Sequence, residues 1–167
     1  MVAVTDSHTD SHAIFAYGSN MHMGDLARWH RERQRGLPTV HAIEVAVLGD
    51  HALCWDYHSA SRGAGAANVR PAPGAQVKGL LLHVDAPTFE NLDLKEGYPS
   101  VYGRAQLPLS VAGRSHPAWV YAVTPAHRQP RFVAPRAGYR QLMLDAAAQY
   151  DFGDDYARDL LQLDVVG

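Results

Sequence analysis

Two short stretches carry residue types able to do chemistry. The first is FAYGSN, residues 15–20, where an apolar run from Ile14 to Tyr17 breaks into Gly18-Ser19-Asn20. A strand ending in such a loop, just ahead of a helix, leaves backbone N–H groups unpaired and pointing one way. These can hold a carboxylate or phosphate without any basic side chain. Gly18 lets the backbone approach a ligand closely, and Ser19 or Asn20 can cap the helix that follows. The tetrapeptide suits a plain strand-to-helix turn equally well. The second stretch ends in Glu96, at the C-terminal end of a helix expected over residues 87–95 and just before Gly97. The last carbonyls of a helix disfavour a negative charge, and shielding from water would add to that effect. A carboxyl so placed suits proton exchange near neutral pH. A solvated glutamate at a frayed end, with Lys95 as surface charge beside it, is the plainer alternative.

Other candidates carry less. Ten histidines are present, but His8 and His12 lie in a polar start, and Met21-His22-Met23 lacks a second ligand at useful spacing. With no H-E-x-x-H or C-x-x-C, no metal is expected. Cys54, the single cysteine, sits between Leu53 and Trp55 and reads as an inert packed thiol in a reducing, cytoplasmic compartment. YGSNMH is not the G-x-S-x-G elbow of a serine hydrolase, and GAGAAN is not a dinucleotide-binding glycine motif. Tyr102, Tyr121 and Tyr139 could line a pocket or simply pack in the core with wetted hydroxyls.

These residues need a scaffold. At 167 residues the chain suggests one domain, and 47% hydrophobic with 19% charged residues is a globular composition. A net charge of −2 offers no field for nucleic acid or an anionic membrane. No apolar run is long enough for a membrane span. Residues 1–12 read as a flexible tail and 13–167 as the domain. A short strand at Ile14–Tyr17 is followed by a helix over 23–34. Strands at 43–47 and about 51–57 read as a hairpin across Gly49-Asp50. Pro71-Ala72-Pro73-Gly74 reads as a turn before the apolar strand Val77–Val84. The next helix has Asp85 or Ala86 as its cap, Pro87 in its first turn and Gly97 past its end. Two strands flanking Gly113-Arg114, a Pro-rich connection, a helix with Tyr139, Leu142, Met143, Ala146 and Tyr150 on one face, and a short final helix complete the chain. Many strands with a few irregularly placed helices indicate an α+β fold.

Taken in order, FAYGSN, GAANVRPAPGAQVKGLLLHV, LDLKEGYPSVYGR and PRAGYRQLMLDAAAQYDFGDDYARDL resemble the γ-glutamylcyclotransferase superfamily, which includes the AIG2-like proteins. The resemblance spans roughly residues 13–162. It implies a mixed β-barrel flanked by helices, with a cavity at one end. It also implies a cyclotransferase that needs no metal or other cofactor and acts on a small γ-glutamyl compound. The family's carboxylate-holding loop falls on Tyr17, Gly18, Ser19 and Asn20, continuing to Met21. Its essential glutamate falls on Glu96, and its pocket tyrosines on Tyr102, Tyr121 and Tyr139. The implied reaction is attack of the substrate's own α-amine on its γ-carbonyl, giving 5-oxoproline and a free amine. Positioning then replaces an intermolecular collision, and one carboxylate can take and return the proton. The 58–66 loop and the Arg128–Arg136 connection are expected to border the leaving group. A non-catalytic binding module on the same fold is the alternative, against which a carboxylate at Glu96 weighs.

Overall fold

The computed structural model describes residues 11–167. The expected tail therefore lies outside the described residues up to residue 10, and the first strand already begins at His12.

The core is a closed barrel of five strands. Its members are β1 (His12–Ala16), β2 (Val40–Cys54), β5 (Asn68–Val84), β6 (Tyr102–Val111) and β7 (Arg114–Val123). They run in the order β1-β5-β2-β6-β7. All pairings are antiparallel except the closing one, where Ile14 and Phe15 lie parallel to Trp119 and Val120. This mixed barrel flanked by helices is the α+β architecture expected. A two-stranded ribbon, β3 (His58–Ser59) with β4 (Ala64–Gly65), lies outside it. The barrel is filled by Ile14, Phe15, Leu48, Leu80, Leu82, Leu109 and Val120 among others, all fully or nearly fully buried. Ile14–Ala16 and Leu80–Leu82 are buried without interruption, so these strand segments are covered on both faces, by the barrel interior and by the elements packed outside it.

Two turn expectations are corrected. The chain does not reverse at Gly49-Asp50 or at Pro71–Gly74; β2 and β5 run through these points as a long paired ribbon. The register slips between Gly49 and His51, where Asp50 takes φ 53°, and Gly74 takes φ 81°. The Asp50 carboxylate accepts the Gly74 N–H at 2.9 Å. The two turn signals thus sit opposite each other and form one kink, a bulge that bends the ribbon without ending it.

Among the described residues, four α-helices flank the barrel: α1 (Met23–Glu32), α2 (Ala86–Glu96), α3 (Ala137–Gln149) and α4 (Asp154–Leu161). Helix α2 follows its sequence signals closely. The Asp85 side chain caps it by accepting the Thr88 N–H, and Pro87 lies in its first turn. Gly97 ends it in the left-handed conformation, φ 65°, with Tyr98 N–H returning to Asp93 O at 2.9 Å. That closure satisfies carbonyls that would otherwise lack donors. It also fixes where Glu96 stands.

Candidate active site

The FAYGSN stretch leaves the barrel at Ala16 and tightens into a 3₁₀ turn, Ser19–Met21. Met21 N–H bonds Gly18 O and His22 N–H bonds Ser19 O, both at 3.1 Å. Among the described residues, the amides of Gly18, Ser19 and Asn20 have no backbone acceptor. The loop packs against α3, whose Tyr139 hydroxyl lies beside Gly18. A Cβ on Gly18 would stand 2.6 Å from that hydroxyl and 3.3 Å from the Ala67 Cβ. Gly18 has φ −118°, so close approach, not a left-handed backbone, is what calls for glycine here.

The C-terminal end of α2 meets the same loop. Asn20 Nδ2 donates to Glu96 Oε1 at 2.8 Å, and Lys95 Nζ donates to Asn20 Oδ1 at 2.7 Å. Burial pushes the Lys95 ammonium below its usual pKa, against the opposing pull of the Glu96 charge. Loop and helix end share a cavity of about 470 Å³ lined by Tyr17, Gly18, Ser19, Asn20, Glu96, Tyr102, Tyr121 and Tyr139. Every expected site residue is therefore brought together except Met21. Its side chain is buried in the core and its N–H is spent on Gly18 O, so it is not placed to line the cavity.

The hydroxyls of the four tyrosines are all tied to protein partners, three of them on the barrel side and that of Tyr121 on α2. Tyr17 donates to Tyr121 O at 2.6 Å and Tyr102 to Ala67 O at 2.9 Å, while the Tyr139 hydroxyl accepts the Ala67 N–H at 3.1 Å. Tyr121 donates to Asp93 Oδ1 at 2.6 Å. Asp93 in turn is held by Arg104 in a two-bond fork of 2.9 and 3.2 Å. Burial pushes all four phenols above their usual pKa; the charge of Glu96 adds to this at Tyr17 and Tyr102, and Asp93 adds to it at Tyr121. They stay protonated at neutral pH, so they can shape and hydrogen-bond but cannot act as bases.

A second group of lining residues was not legible from sequence. Asp25, Arg28, Trp29, Glu32 and Arg33 project from one face of α1, and Arg62 comes from the β3–β4 ribbon. Asp25 is buried and pairs with Arg28 and, at 3.1 Å, with Arg62, whose guanidinium lies 5.1 Å from the Tyr139 ring centroid. The 58–66 loop borders the cavity as expected, through Ser59, Ala60, Ser61 and Arg62. The Arg128–Arg136 connection does not line it. Its Arg136 faces a neighbouring hollow on the far side of Asp25 and Arg62. Among the described residues, no group of three His, Cys, Asp or Glu side chains is arranged to hold a metal ion. Burial pushes the Cys54 thiol up to about 12, in keeping with a packed, unreactive role.

The chain is similar to several solved structures. A gamma-glutamyl cyclotransferase is 21% identical, with a TM-score of 0.76 and coverage of 94% of this chain and 90% of that one. The uncharacterized protein loc79017 from Homo sapiens is 22% identical, with a TM-score of 0.75 and coverage of 93% and 89%. A yeast gamma-glutamyl cyclotransferase specific to glutathione is 12% identical, with a TM-score of 0.62 and coverage of 91% and 94%. At these identities the likeness is one of fold. No curated protein gives a significant match. Residues 14–141, most of the chain and including both the loop and Glu96, match the family model for gamma-glutamyl cyclotransferase, AIG2-like, and the chain belongs to that family.

Proposed function

We propose that this protein is a γ-glutamyl cyclotransferase that releases 5-oxoproline by intramolecular attack. The observation that carries the reading is the contact between its two parts: Asn20 of the loop bonds Glu96 at 2.8 Å inside one cavity. In this reading the amides of Gly18, Ser19 and Asn20, which have no backbone acceptor among the described residues, hold the substrate's α-carboxylate as preorganised donors do for an anion, the Ser19 amide also facing the Tyr139 hydroxyl. The α-amine nitrogen attacks the γ-carbonyl carbon and closes a five-membered ring. The bond from that carbon to the leaving amine then breaks. Glu96 takes the proton lost by the attacking amine and returns it to the departing nitrogen. Holding amine and carbonyl at attack distance supplies much of the acceleration. The protonated phenols around the cavity pack the glutamyl chain and keep competing bases away from the reacting centre.

The test is product analysis. Purified protein is offered a panel of γ-glutamyl amino acids and γ-glutamylamines, with products read by mass spectrometry. The expected product is 5-oxoproline with an equal amount of free amine. Glu96→Gln is expected to lower turnover by at least about a thousandfold, in the upper range for removing a positioned acid–base group, while calorimetry still detects ligand. Free glutamate as product would mean hydrolysis by water. Binding without any product would make the protein a sensor. Full activity in Glu96→Gln would remove that residue from the mechanism.

A further inference from the structure

Lys95 occupies a helix end, where a cation is ordinarily explained by the carbonyls at the C-terminus. Its contacts are of another kind. The side chain is half-buried, lines the cavity, and sends Nζ to Asn20 Oδ1 at 2.7 Å and to Ser19 Oγ at 3.4 Å. Asn20 then turns its Nδ2 to Glu96 Oε1. Two residues adjacent in the chain are thus bridged by a third, 75 positions away, that both of them touch.

We propose that Lys95 is a positioning residue: its ammonium fixes the orientation of the Asn20 side-chain amide, so that Asn20 donates to Glu96. The argument rests on what each group can do. An ammonium has donors only, whereas a carboxamide has an acceptor end and a donor end. Contact with Lys95 therefore assigns Oδ1 to the lysine side and Nδ2 to the glutamate side. An NH₂ group facing Glu96 requires an acceptor oxygen there, which an ionised carboxylate supplies at both positions. The reverse orientation would set Oδ1 against a Glu96 oxygen, repelling the ionised form. Lys95 therefore selects the arrangement in which Oε1 of Glu96 accepts from Asn20, while among the described residues Oε2 has no hydrogen-bond partner and can accept a proton. The charges facing Lys95 are Glu96, Arg62, Asp25 and Arg33. Asp25 is already satisfied by Arg28 and Arg62, which leaves Glu96, reached through Asn20, as the partner of the ammonium.

The catalytic consequence rests on the reading of Glu96 as the proton carrier, so the experiment has a part with turnover and a part without. With the best substrate of the panel, Lys95→Met is expected to lower kcat about ten- to a hundredfold with KM changed less than about threefold, the scale of one charge-assisted hydrogen bond. Lys95→Arg, again donors only, is expected to retain most activity, and Lys95→Gln, which has both ends, is not. In an Asn20→Ala background, adding Lys95→Met is expected to cost less than about threefold more, because the lysine acts through the amide. Independent, multiplying losses, or a rise in KM alone, would overturn the proposal by making Lys95 a direct substrate contact. Without substrate, the Asn20 side-chain NH₂ resonances are followed by NMR in the wild type, Lys95→Met and Lys95→Arg. A clear shift in the methionine variant, absent in the arginine one, is expected. Unchanged resonances in Lys95→Met would sink the idea whatever the activity. A wild type that makes no 5-oxoproline would sink the functional reading but leave the NMR result to decide the role of Lys95.

Discussion

The cavity has two unlike walls. The inner wall is made of the loop 17–20, the end of α2 and four tethered tyrosines, and its polar groups are mostly committed to protein partners at 2.6–3.1 Å. The outer wall, from α1 and the β3–β4 ribbon, is a set of long charged side chains paired with one another: Asp25 with Arg28 and Arg62, and Arg33 over the Trp29 ring at 4.6 Å. Arg28 is 57% exposed and Arg33 44%, whereas Tyr17, Tyr102, Tyr121 and Tyr139 are all below 7%. Buried, satisfied hydrogen bonds have one low-energy arrangement. Asp25 is buried, but the guanidinium groups of Arg28 and Arg33 reach solvent and exchange partners and water at little cost. The inner wall can thus hold a single chemical unit in one pose, while the outer wall can meet leaving groups of more than one shape. On the proposed function, the cyclisation chemistry would belong to the first wall and the choice of leaving amine to the second.

If that division is right, damage to the inner wall should cost far more than equal damage to the outer. The largest effect outside Glu96 is expected at Gly18. A Val there puts Cβ 2.6 Å from the Tyr139 hydroxyl, which is itself pinned by the Ala67 N–H. The tyrosine must leave or the loop must move, and either change misplaces the amides proposed to anchor the substrate. Isothermal calorimetry on Gly18→Val should give ligand affinity lower by about a hundredfold, the scale of one or two charge-assisted hydrogen bonds. Unchanged affinity would mean that the loop is not the anchor.

Next in size is a change beneath the inner wall. Asn68 is fully buried; its Oδ1 accepts the N–H groups of Val69 and Val123 at 2.9 Å, and its Nδ2 donates to Asp56 at 2.8 Å. This one amide joins β5 to β7 below Tyr102 and Tyr121. Asn68→Leu leaves two buried N–H donors unpaired and takes from Asp56 its shortest hydrogen bond, with Arg70 remaining at 3.5 Å, at a cost of about 3 kcal/mol. For a domain of this size that lowers Tm by roughly 10 °C. A calorimetric scan that found Tm within a degree or two of wild type would show the staple to be dispensable.

The inner wall was also the legible one, for physical reasons. Helix α2 could be drawn from sequence because its cap, its Pro87 and its Gly97 act within a few residues of one another. Glu96 and the loop were visible as oddities: a carboxylate at a helix C-terminus, and a strand that stops on Gly-Ser-Asn. Lys95 was hidden because a lysine at a helix end is what dipole and solvent alone would place there. Asp25 and Arg62 were hidden because 37 residues separate them and no local rule links them. The β2–β5 ribbon was misread because Gly49-Asp50 and Pro71–Gly74 each look like a reversal. Only the pairing of Asp50 with Gly74 across the ribbon turns the two into a kink.

The outer wall should respond weakly in activity yet leave a mark on stability in acid. Burial alone would raise the Asp25 carboxyl, but the hydrogen bonds and charges of Arg28 and Arg62 outweigh it and hold its pKa below the usual value. A carboxyl depressed on folding adds stability that is complete above its unfolded pKa, near 4, and is lost as pH falls through the folded value. In urea titrations between about pH 2 and 6, the wild type should lose stability over that acid range, and Asp25→Asn should lose less. Its kcat/KM at neutral pH should fall by no more than about fivefold: Asp25 is buried, but its partners Arg28 and Arg62 both reach solvent and can turn to water or to a substrate's own acid group. A loss as deep as that of Gly18→Val would place Asp25 among the groups that hold the reacting unit, and the two walls would have to be treated as one.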